Sequence, residues 1–192
     1  MLLEAACSIR TGQTFKSAIE PEIGGDLSVI LPRDISNGVL LASPVQINSW
    51  QVGMLNKHIL KKGDIIITNK GVKFGTFLYQ DFPSKAIATT SFFVITPNQK
   101  KVLPHFLNWY LNQPPARDYL LKNAFGSTIQ SITKGVLSNL KIPCLPINEQ
   151  HYLVRFMQET ESEQHLLKAL IQKKAAFANS YVWERILKTN DE

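Results

Sequence analysis

The sequence predicts an α+β fold, in which a mixed α/β domain with a buried β-sheet and short helices precedes one long C-terminal coiled-coil-forming helix. The run Ile65–Thr68 is β-branched throughout, which is typical of a strand that is buried on both faces. Pro104 and Pro115 each precede an apolar helical segment, where the fixed backbone of proline suits the first turn. After Pro146 the chain contains neither proline nor glycine, which indicates an uninterrupted helix.

The segments before the first of these helices predict strands that are separated by turns. Residues 1–12 predict a short helix or strand, which leads into a donor-rich turn at 12–17. Residues 27–31 alternate with the period of a strand, and residues 39–41 and 91–96 are further apolar segments with strand character.

The stretch 126–150 joins the mixed domain to the long helix. Its first three residues predict a small polar loop, and the Thr133 hydroxyl is suited to cap a short helical turn. Residues 140–142 predict a short strand that the next proline ends. For the long helix we expect Asn148 to be the N-cap residue, with a hydrophobic staple around it.

Length and composition favour one domain with an appendage. A chain of 192 residues is long enough for a core but short for two full domains, so we divide it into a domain at 1–146, a helix at 147–188 and a tail at 189–192. No apolar run approaches the roughly 20 residues that span a membrane. Because neither terminus resembles a secretion signal, we expect a cytoplasmic protein without membrane contact. Cys7 and Cys144 have no cysteine or histidine cluster around them, so neither a disulfide nor a metal site is predicted.

The net charge of +6 is concentrated in the first part of the chain. Residues 1–146 hold 15 lysines and arginines against 8 aspartates and glutamates, whereas residues 147–192 hold 6 against 7. This division favours a polyanion, such as double-stranded DNA, as the partner of the domain and a protein as the partner of the helix. The alternative is a generally basic surface without a specific partner.

Several polar or basic segments are candidates for contact with DNA. The turn at 12–17 lacks the Gly-Lys-Ser/Thr triplet of a phosphate loop, which excludes that kind of nucleotide site, but its backbone suits an approach to a DNA phosphate. The loop before the joint carries small polar side chains, among which the amide of Gln130 is suited to pair with an adenine edge. The candidate residues are Arg10, Thr11, Lys16, Arg33, Lys70, Lys73, Ser127, Thr128, Gln130, Ser131 and Lys134. The alternative for these segments is a set of plain surface turns.

Apolar residues recur along the last 40 or so residues at three- and four-residue spacing. The seam consists of Leu153, Phe156, Leu167, Leu170, Phe177 and Tyr181, and it is interrupted by Thr160, Glu163 and Lys174. A helix of this length extends roughly 60 Å, which is more than one small domain covers. We therefore predict an imperfect coiled-coil face that pairs with another helix. The alternative is a helix folded back on its own domain.

The sequence carries no local signature of an enzyme. Residues 112–116 come near the Asn/Asp-Pro-Pro-Tyr/Phe motif of adenine methyltransferases, but a glutamine interrupts the motif and the aromatic residue is missing. Dinucleotide-binding, serine-hydrolase and zinc-protease motifs are also absent from the sequence. We therefore predict a protein that is not an enzyme and binds no cofactor. The alternatives are a nuclease with dispersed catalytic residues and a helix-mediated adaptor without DNA binding.

Four segments together resemble the specificity subunits of type I restriction-modification systems. They are residues 9–12, residues 63–68 with the glycine loop that follows, residues 106–112 ahead of a proline, and the stretch 126–150. The spans 33–50 and 76–88 match no such pattern, as expected where a recognition domain varies with its target.

The resemblance implies a non-catalytic, DNA-binding protein. In that family each target-recognition domain reads one half of a split DNA sequence, and the long helices set the spacing and bind the DNA methyltransferase subunits. A complete member carries two recognition domains and two helices, whereas this chain shows one of each. The resemblance therefore implies a half subunit that pairs with a copy of itself or with another half. We expect a homodimer through antiparallel C-terminal helices.

Overall fold

The computed structural model describes residues 1–36, 38–40, 44–71, 74–80 and 85–190. It contains two sheets, a small hairpin, short helices and one long C-terminal helix, which confirms the predicted α+β class. The chain divides into two compact units, Met1–Gln150 and His151–Glu192.

The described strands and helices follow one another in a mixed order. The strands are β1 (Cys7–Thr11), β2 (Leu27–Ile30), β3 (Ile35–Ser36), β4 (Val39–Leu40), β5 (Val45–Ile47), β6 (Ile65–Thr68), β7 (Thr76–Leu78), β8 (Lys85–Ala88) and β9 (Phe92–Pro97). The helices are α1 (Leu3–Ala6), α2 (Pro104–Leu111), α3 (Pro114–Lys122), α4 (Lys134–Ser138) and α5 (Ile147–Asn190). The sequence predicts β2, β6 and β9 closely, but β5, β7 and β8 lie in spans for which it shows no pattern.

The larger sheet has the order β1-β9-β6-β7, and all its neighbouring strands are antiparallel. Ile66 in the centre of β6 pairs with Val94 on one side and Phe77 on the other. Ile65, Ile66 and Ile67 are fully buried, as the β-branched run predicts.

The smaller sheet has the order β5-β2-β8, in which β2 and β8 are parallel. Apolar side chains of the two sheets, including Ile30, Ile66 and Phe92, form one buried cluster. The β3–β4 hairpin lies against this cluster through Ile35 and Leu40. This shared cluster therefore holds the two sheets in a fixed position with respect to each other.

The short helices begin close to the predicted positions. Helix α2 begins at Pro104, as expected, whereas α3 begins at Pro114 and not at Pro115. The Val136 N–H donates to Oγ1 of Thr133 at 3.2 Å, so Thr133 caps α4 as predicted. In place of the strand predicted at 140–142, the described residues there form a single bridge between Lys141 and Leu2.

The predicted N-cap of the long helix is wrong. Helix α5 begins at Ile147, and the Gln150 N–H donates to the Pro146 carbonyl at 3.0 Å, so Pro146 occupies the cap position and Asn148 lies in the first turn. The side chain of Gln150 is fully buried and holds this turn in place. Its amide donates to the carbonyls of Leu145 and Lys101, and its oxygen accepts the Leu103 N–H at 2.9 Å. The helix continues to Asn190, two residues beyond the predicted end.

Candidate nucleic-acid interface

Several loops meet at one edge of the larger sheet. Because neighbouring strands are antiparallel, β1 and β6 end at the same edge at which β9 and β7 begin. The residues at this edge are those around Thr11, Thr68, Thr76 and Phe92. We call the loops there, residues 11–13, 69–71, 89–91 and 125–132, the loop edge.

Backbone hydrogen bonds join the loop 11–13 to the turn 89–91 and the residues on either side of it. The N–H groups of Gly12 and Gln13 donate to the carbonyls of Phe92 and Ala88 at 3.1 and 2.7 Å, and the Thr90 N–H donates to the Gln13 carbonyl at 3.0 Å. A Cβ atom at Gly12 would lie 2.1 Å from the Thr89 carbonyl oxygen. Glycine is therefore required where the chain leaves β1 and crosses to β8.

Asn69 links the turn before β9 to the loop at 125–132. Its backbone N–H donates to the Ser91 carbonyl at 2.9 Å, and its side-chain amide donates to the Thr90 carbonyl at 2.7 Å. Its own carbonyl accepts the Ile132 N–H at 3.0 Å. The predicted DNA-contacting segments around Lys70 and Gln130 are thus neighbours in the fold, although about 60 residues separate them in the sequence.

The loop 126–130 is a protruding hairpin tip. Phe125 and Ser131 exchange two backbone hydrogen bonds of 2.9 and 2.8 Å at its base, and the Gly71 N–H donates to the Gln130 carbonyl at 2.9 Å. Gly126 has a φ of +104°, and a Cβ atom there would lie 2.4 Å from the Ile129 carbonyl oxygen. The tip is held at both sides, and its residues, including Ser127, Thr128 and Gln130, are exposed.

The charge at and beside the loop edge is positive among the described residues. Lys70 and Lys134 are exposed, and Arg33 follows β2, whose last residue accepts the Thr89 N–H at 3.3 Å. The neighbouring Asp34 is buried, accepts the Leu31 N–H at 2.8 Å and also lies 3.9 Å from Nε of Arg33, so it offsets part of the charge of Arg33. Lys73 lies outside the described residues.

Three other residues that are predicted to contact DNA, Arg10, Thr11 and Lys16, differ from one another in their surroundings. The Arg10 guanidinium donates to the carbonyls of His58 and Ile59 and to Asp64, with which it forms an ion pair of 3.3 Å. Burial lowers the pKa of this guanidinium, and the charge of Asp64 opposes the shift. Thr11 is exposed at the end of β1. Lys16 lies farther along the chain, in a segment that lines a surface cavity together with Ile47 and Gln51.

Ile129 and Phe125 are exposed residues at the loop edge that the sequence interpretation did not select. Their side chains are 62% and 58% exposed. An apolar side chain on a loop carries no local signal of function, because isolated exposed apolar residues are common on protein surfaces. Here the fold supplies the signal, since it places Ile129 beside Gln130 and near Lys70.

The seam of α5 is exposed within this chain. Phe156, Leu167, Leu170, Phe177 and Tyr181 are each at least half exposed, whereas Leu153 is partly buried. A second group was not foreseen: Val182, Trp183 and Ile186 are also exposed and lie roughly 100–180° around the helix from Phe177 or Tyr181. Within the described part of the chain, no helix has both the length and the apolar character needed to cross a membrane.

In the ranges that the structure describes, no three histidine, cysteine, aspartate or glutamate side chains come close enough together to hold a metal ion. The candidate interface consists of backbone groups, small polar side chains, lysines and the exposed apolar side chains of Phe125 and Ile129.

Comparison with known families and structures gives a consistent result. Residues 3–190 match the family model described as Type I restriction modification DNA specificity domain. No curated protein sequence matches the chain. The HsdS subunit from Thermoanaerobacter tengcongensis is 20% identical with a TM-score of 0.64, and the match covers 88% of this chain and 38% of that one.

Two further structures are similar. The S subunit of the type I restriction-modification system from M. genitalium is 20% identical with a TM-score of 0.59, over 90% of this chain and 41% of that one. A chain from a structure of complex assembly in the type I R-M system is 20% identical with a TM-score of 0.62, over 87% and 39%. These likenesses show a shared fold, and the chain spans about two fifths of the length of these structures.

Proposed function

The chain belongs to the family of type I restriction modification DNA specificity domains, and on that premise we propose that residues 1–146 bind duplex DNA through the loop edge. The observation that carries the proposal is the junction of Asn69–Gly71 with Gln130–Ile132, which places Lys70 beside an exposed, preformed polar tip. Lysines bind phosphates and set the register, while amide and apolar side chains distinguish bases.

We further propose that the protein is a non-catalytic half subunit. Residues 1–146 read one half of a split site, and residues 147–188 provide the helix that pairs with a second half and sets the distance between the two. The exposed seam of α5 supports this division, because a helix with half-exposed phenylalanine, leucine and tyrosine side chains gains stability by pairing. DNA methyltransferase subunits are the proposed catalytic partners, and the second apolar group at Val182, Trp183 and Ile186 is a surface available to them.

The residues proposed to contact DNA have different roles. Lys70, Lys134 and Arg33 contact phosphates, and Thr11, Lys16, Lys73, Ser127, Thr128 and Ser131 are further candidates. Gln130 pairs with an adenine edge, and we add Ile129 as an apolar contact to a thymine methyl group. Arg10 is bound within the fold, so its proposed role is to position the end of β1 and not to contact DNA.

The proposal is tested by binding of the full chain to a randomised duplex library, followed by measurement on the selected duplex. Affinity is expected to fall steeply between about 50 and about 300 mM salt, since each neutralised phosphate releases counterions. Lys70→Glu is expected to weaken binding to all duplexes alike, whereas Lys100→Glu, an exposed lysine beyond the other end of β9, is the matched control. Absence of salt-dependent binding at low salt would favour the adaptor function.

Specificity is tested at Gln130. Gln130→Ala is expected to reduce discrimination at one adenine by about 1–3 kcal/mol. An unchanged sequence preference would show that the loop amide only satisfies the local backbone.

A further inference from the structure

Exposed apolar side chains of α5 cluster around the middle of the helix. Leu166, Leu167, Leu170 and Ile171 form a patch in which each side chain is between 50% and 67% exposed. The midpoint of this patch lies between Lys168 and Ala169. The same point is the midpoint of the whole helix, Ile147–Asn190.

The two charges that interrupt the seam are symmetric about this midpoint. Glu163 and Lys174 lie equally far from it in sequence, one on each side, and both occupy seam positions. When a second copy lies antiparallel with its two-fold axis at the midpoint, each Glu163 faces Lys174 of the second copy. At the centre, each Leu167 faces Leu170 of the second copy.

Resting on the proposed half subunit, we infer that α5 pairs with α5 of a second copy of this chain in this one antiparallel register, which two intermolecular Glu163–Lys174 ion pairs select. In this register the two helices overlap from end to end. The pairing also brings Phe156 opposite Tyr181 of the second copy on both sides of the centre.

A parallel arrangement of the same seam is disfavoured by charge. In a parallel, in-register pair each seam residue faces its own copy, so Glu163 meets Glu163 and Lys174 meets Lys174. Like charges that share a partly desolvated seam repel each other and disfavour that partner geometry.

Antiparallel registers shifted by one heptad are disfavoured by desolvation. A shift in one direction places Glu163 opposite Leu167 and Lys174 opposite Phe156, and a shift in the other places them opposite Tyr181 and Leu170. Each shifted register therefore sets both Glu163 and Lys174 against apolar or aromatic side chains without a counter-charge, whereas the central register sets only Glu184, near the end of the helix, opposite an apolar residue, Leu153. A polar seam position that is satisfied in one register only is a known means of specifying register in coiled coils.

Disulfide trapping tests the register directly in the full chain. The background is Cys144→Ser, because Cys144 is exposed, whereas Cys7 is buried and its burial raises the pKa of its thiol to about 12. The double variant Phe156→Cys/Tyr181→Cys keeps the proposed ion pairs and is expected to form a covalent dimer under mild oxidation, with positions 156 and 181 linked in mass spectra. These positions are about 38 Å apart along one helix, so the link is intermolecular. Phe156→Cys alone forms a dimer only if the helices are parallel.

Charge reversal provides a second test that does not depend on oxidation. Glu163→Lys and Lys174→Glu are each expected to raise the dissociation constant of the dimer about tenfold or more, since each introduces two like-charge contacts. The double reversal Glu163→Lys/Lys174→Glu restores the ion pairs and is expected to restore the wild-type constant. Glu161→Lys, an exposed reversal off the seam, is the matched control.

The possible outcomes distinguish a failure of the proposed register from a failure of the proposed function. A wild-type protein that remains monomeric at micromolar concentration in light scattering would overturn self-pairing and the register with it, while DNA binding is measured independently on the loop edge. If the wild type is a dimer but positions 156 and 181 of the double-cysteine variant do not link, or if the double reversal fails to restore pairing, the register is overturned and self-pairing is left intact.

Discussion

The unit Met1–Gln150 and the helix beyond it satisfy their side chains in different ways. In the first unit the apolar residues of β6 and β9 are buried among the chain's own residues, and the buried carboxylate of Asp64 has protein partners on both oxygens. Along α5, by contrast, large apolar side chains such as Phe177 and Leu166 are two thirds or more exposed.

The structure of the single chain accounts for the buried side chains of the first unit. It does not account for the apolar side chains that are exposed along α5. The first unit is compact and has its own buried core, and its loops carry the exposed residues that are available for binding. The apolar side chains along α5 are exposed within this chain, and the proposed pairing with a second helix would bury them.

The largest contrast is expected between Ile66 in β6 and Leu170 in α5. Ile66→Ala removes a fully buried side chain and is expected to lower the free energy of unfolding of the first unit by about 2–5 kcal/mol. Leu170→Ala is expected to change the monomer by less than about 0.5 kcal/mol, because the side chain is half exposed. Urea unfolding followed by tryptophan fluorescence measures both.

The two regions are also expected to differ in how their stability depends on protein concentration. If α5 pairs as proposed, its stability depends on protein concentration, whereas the stability of the core of the first unit does not. A Leu170→Ala variant that unfolds as the wild type does at every concentration would contradict the distinction between the two regions.

Asp64 provides a second contrast, this time between carboxylates. Its oxygens accept the Thr96 hydroxyl at 2.6 Å and the Lys61 N–H at 2.9 Å, and Arg10 lies at 3.3 Å. Asp64→Ala leaves these groups without their acceptor and is expected to cost about 3 kcal/mol. Asp26→Ala is the matched control, since Asp26 is exposed and has Ser49 as its partner, through the Ser49 N–H at 2.7 Å and the Ser49 side chain. Equal losses in the two variants would show that Asp64 is not an internal anchor.

Gln150 tests how the first unit holds the beginning of α5. Gln150→Leu keeps the volume but leaves the Leu103 N–H and the carbonyls of Lys101 and Leu145 without this partner, which is expected to cost about 2 kcal/mol. Gln158→Leu, an exposed change on the same helix, is the control and is expected to leave stability nearly unchanged. Thermal unfolding of both variants measures whether Gln150 stabilises the protein. Equal melting temperatures for the two variants would contradict this role.

The same contrast explains how much was predictable from the sequence. The β-branched run of β6, the proline at the start of α2 and the Thr133 cap are local signals, and they predict those elements correctly. The strand β8 is short and alanine-rich, and its parallel pairing with β2 joins distant segments, so no local pattern reveals it. The N-cap was misplaced because Asn148 has a capping side chain, whereas the structure uses the backbone of Pro146 and the buried side chain of Gln150.

The candidate interface was predictable in its residue types but not in its assembly. Lys70 and Gln130 were selected from local polarity, and the hydrogen bond from Gly71 to Gln130 that joins their loops is visible only in the fold. The sequence alone likewise gives no reason to propose a role for Ile129, because that proposal depends on its neighbours in the fold.

Ile129 provides the last comparison, because it is an exposed apolar side chain in a unit whose strands β6 and β9 bury theirs. If it contacts a thymine methyl group, Ile129→Ala is expected to weaken binding to the selected duplex by about 1 kcal/mol, the value of a small apolar contact. Replacing the contacted thymine by deoxyuridine, which lacks the methyl group, is expected to weaken wild-type binding by a similar amount and to leave the variant unaffected. Ile23→Ala, on an exposed loop of the same unit, is the control and is expected to retain full discrimination. A variant at Ile129 that still distinguishes thymine from deoxyuridine as the wild type does would make this side chain an ordinary surface residue, and the tip would then recognise DNA through its polar groups alone.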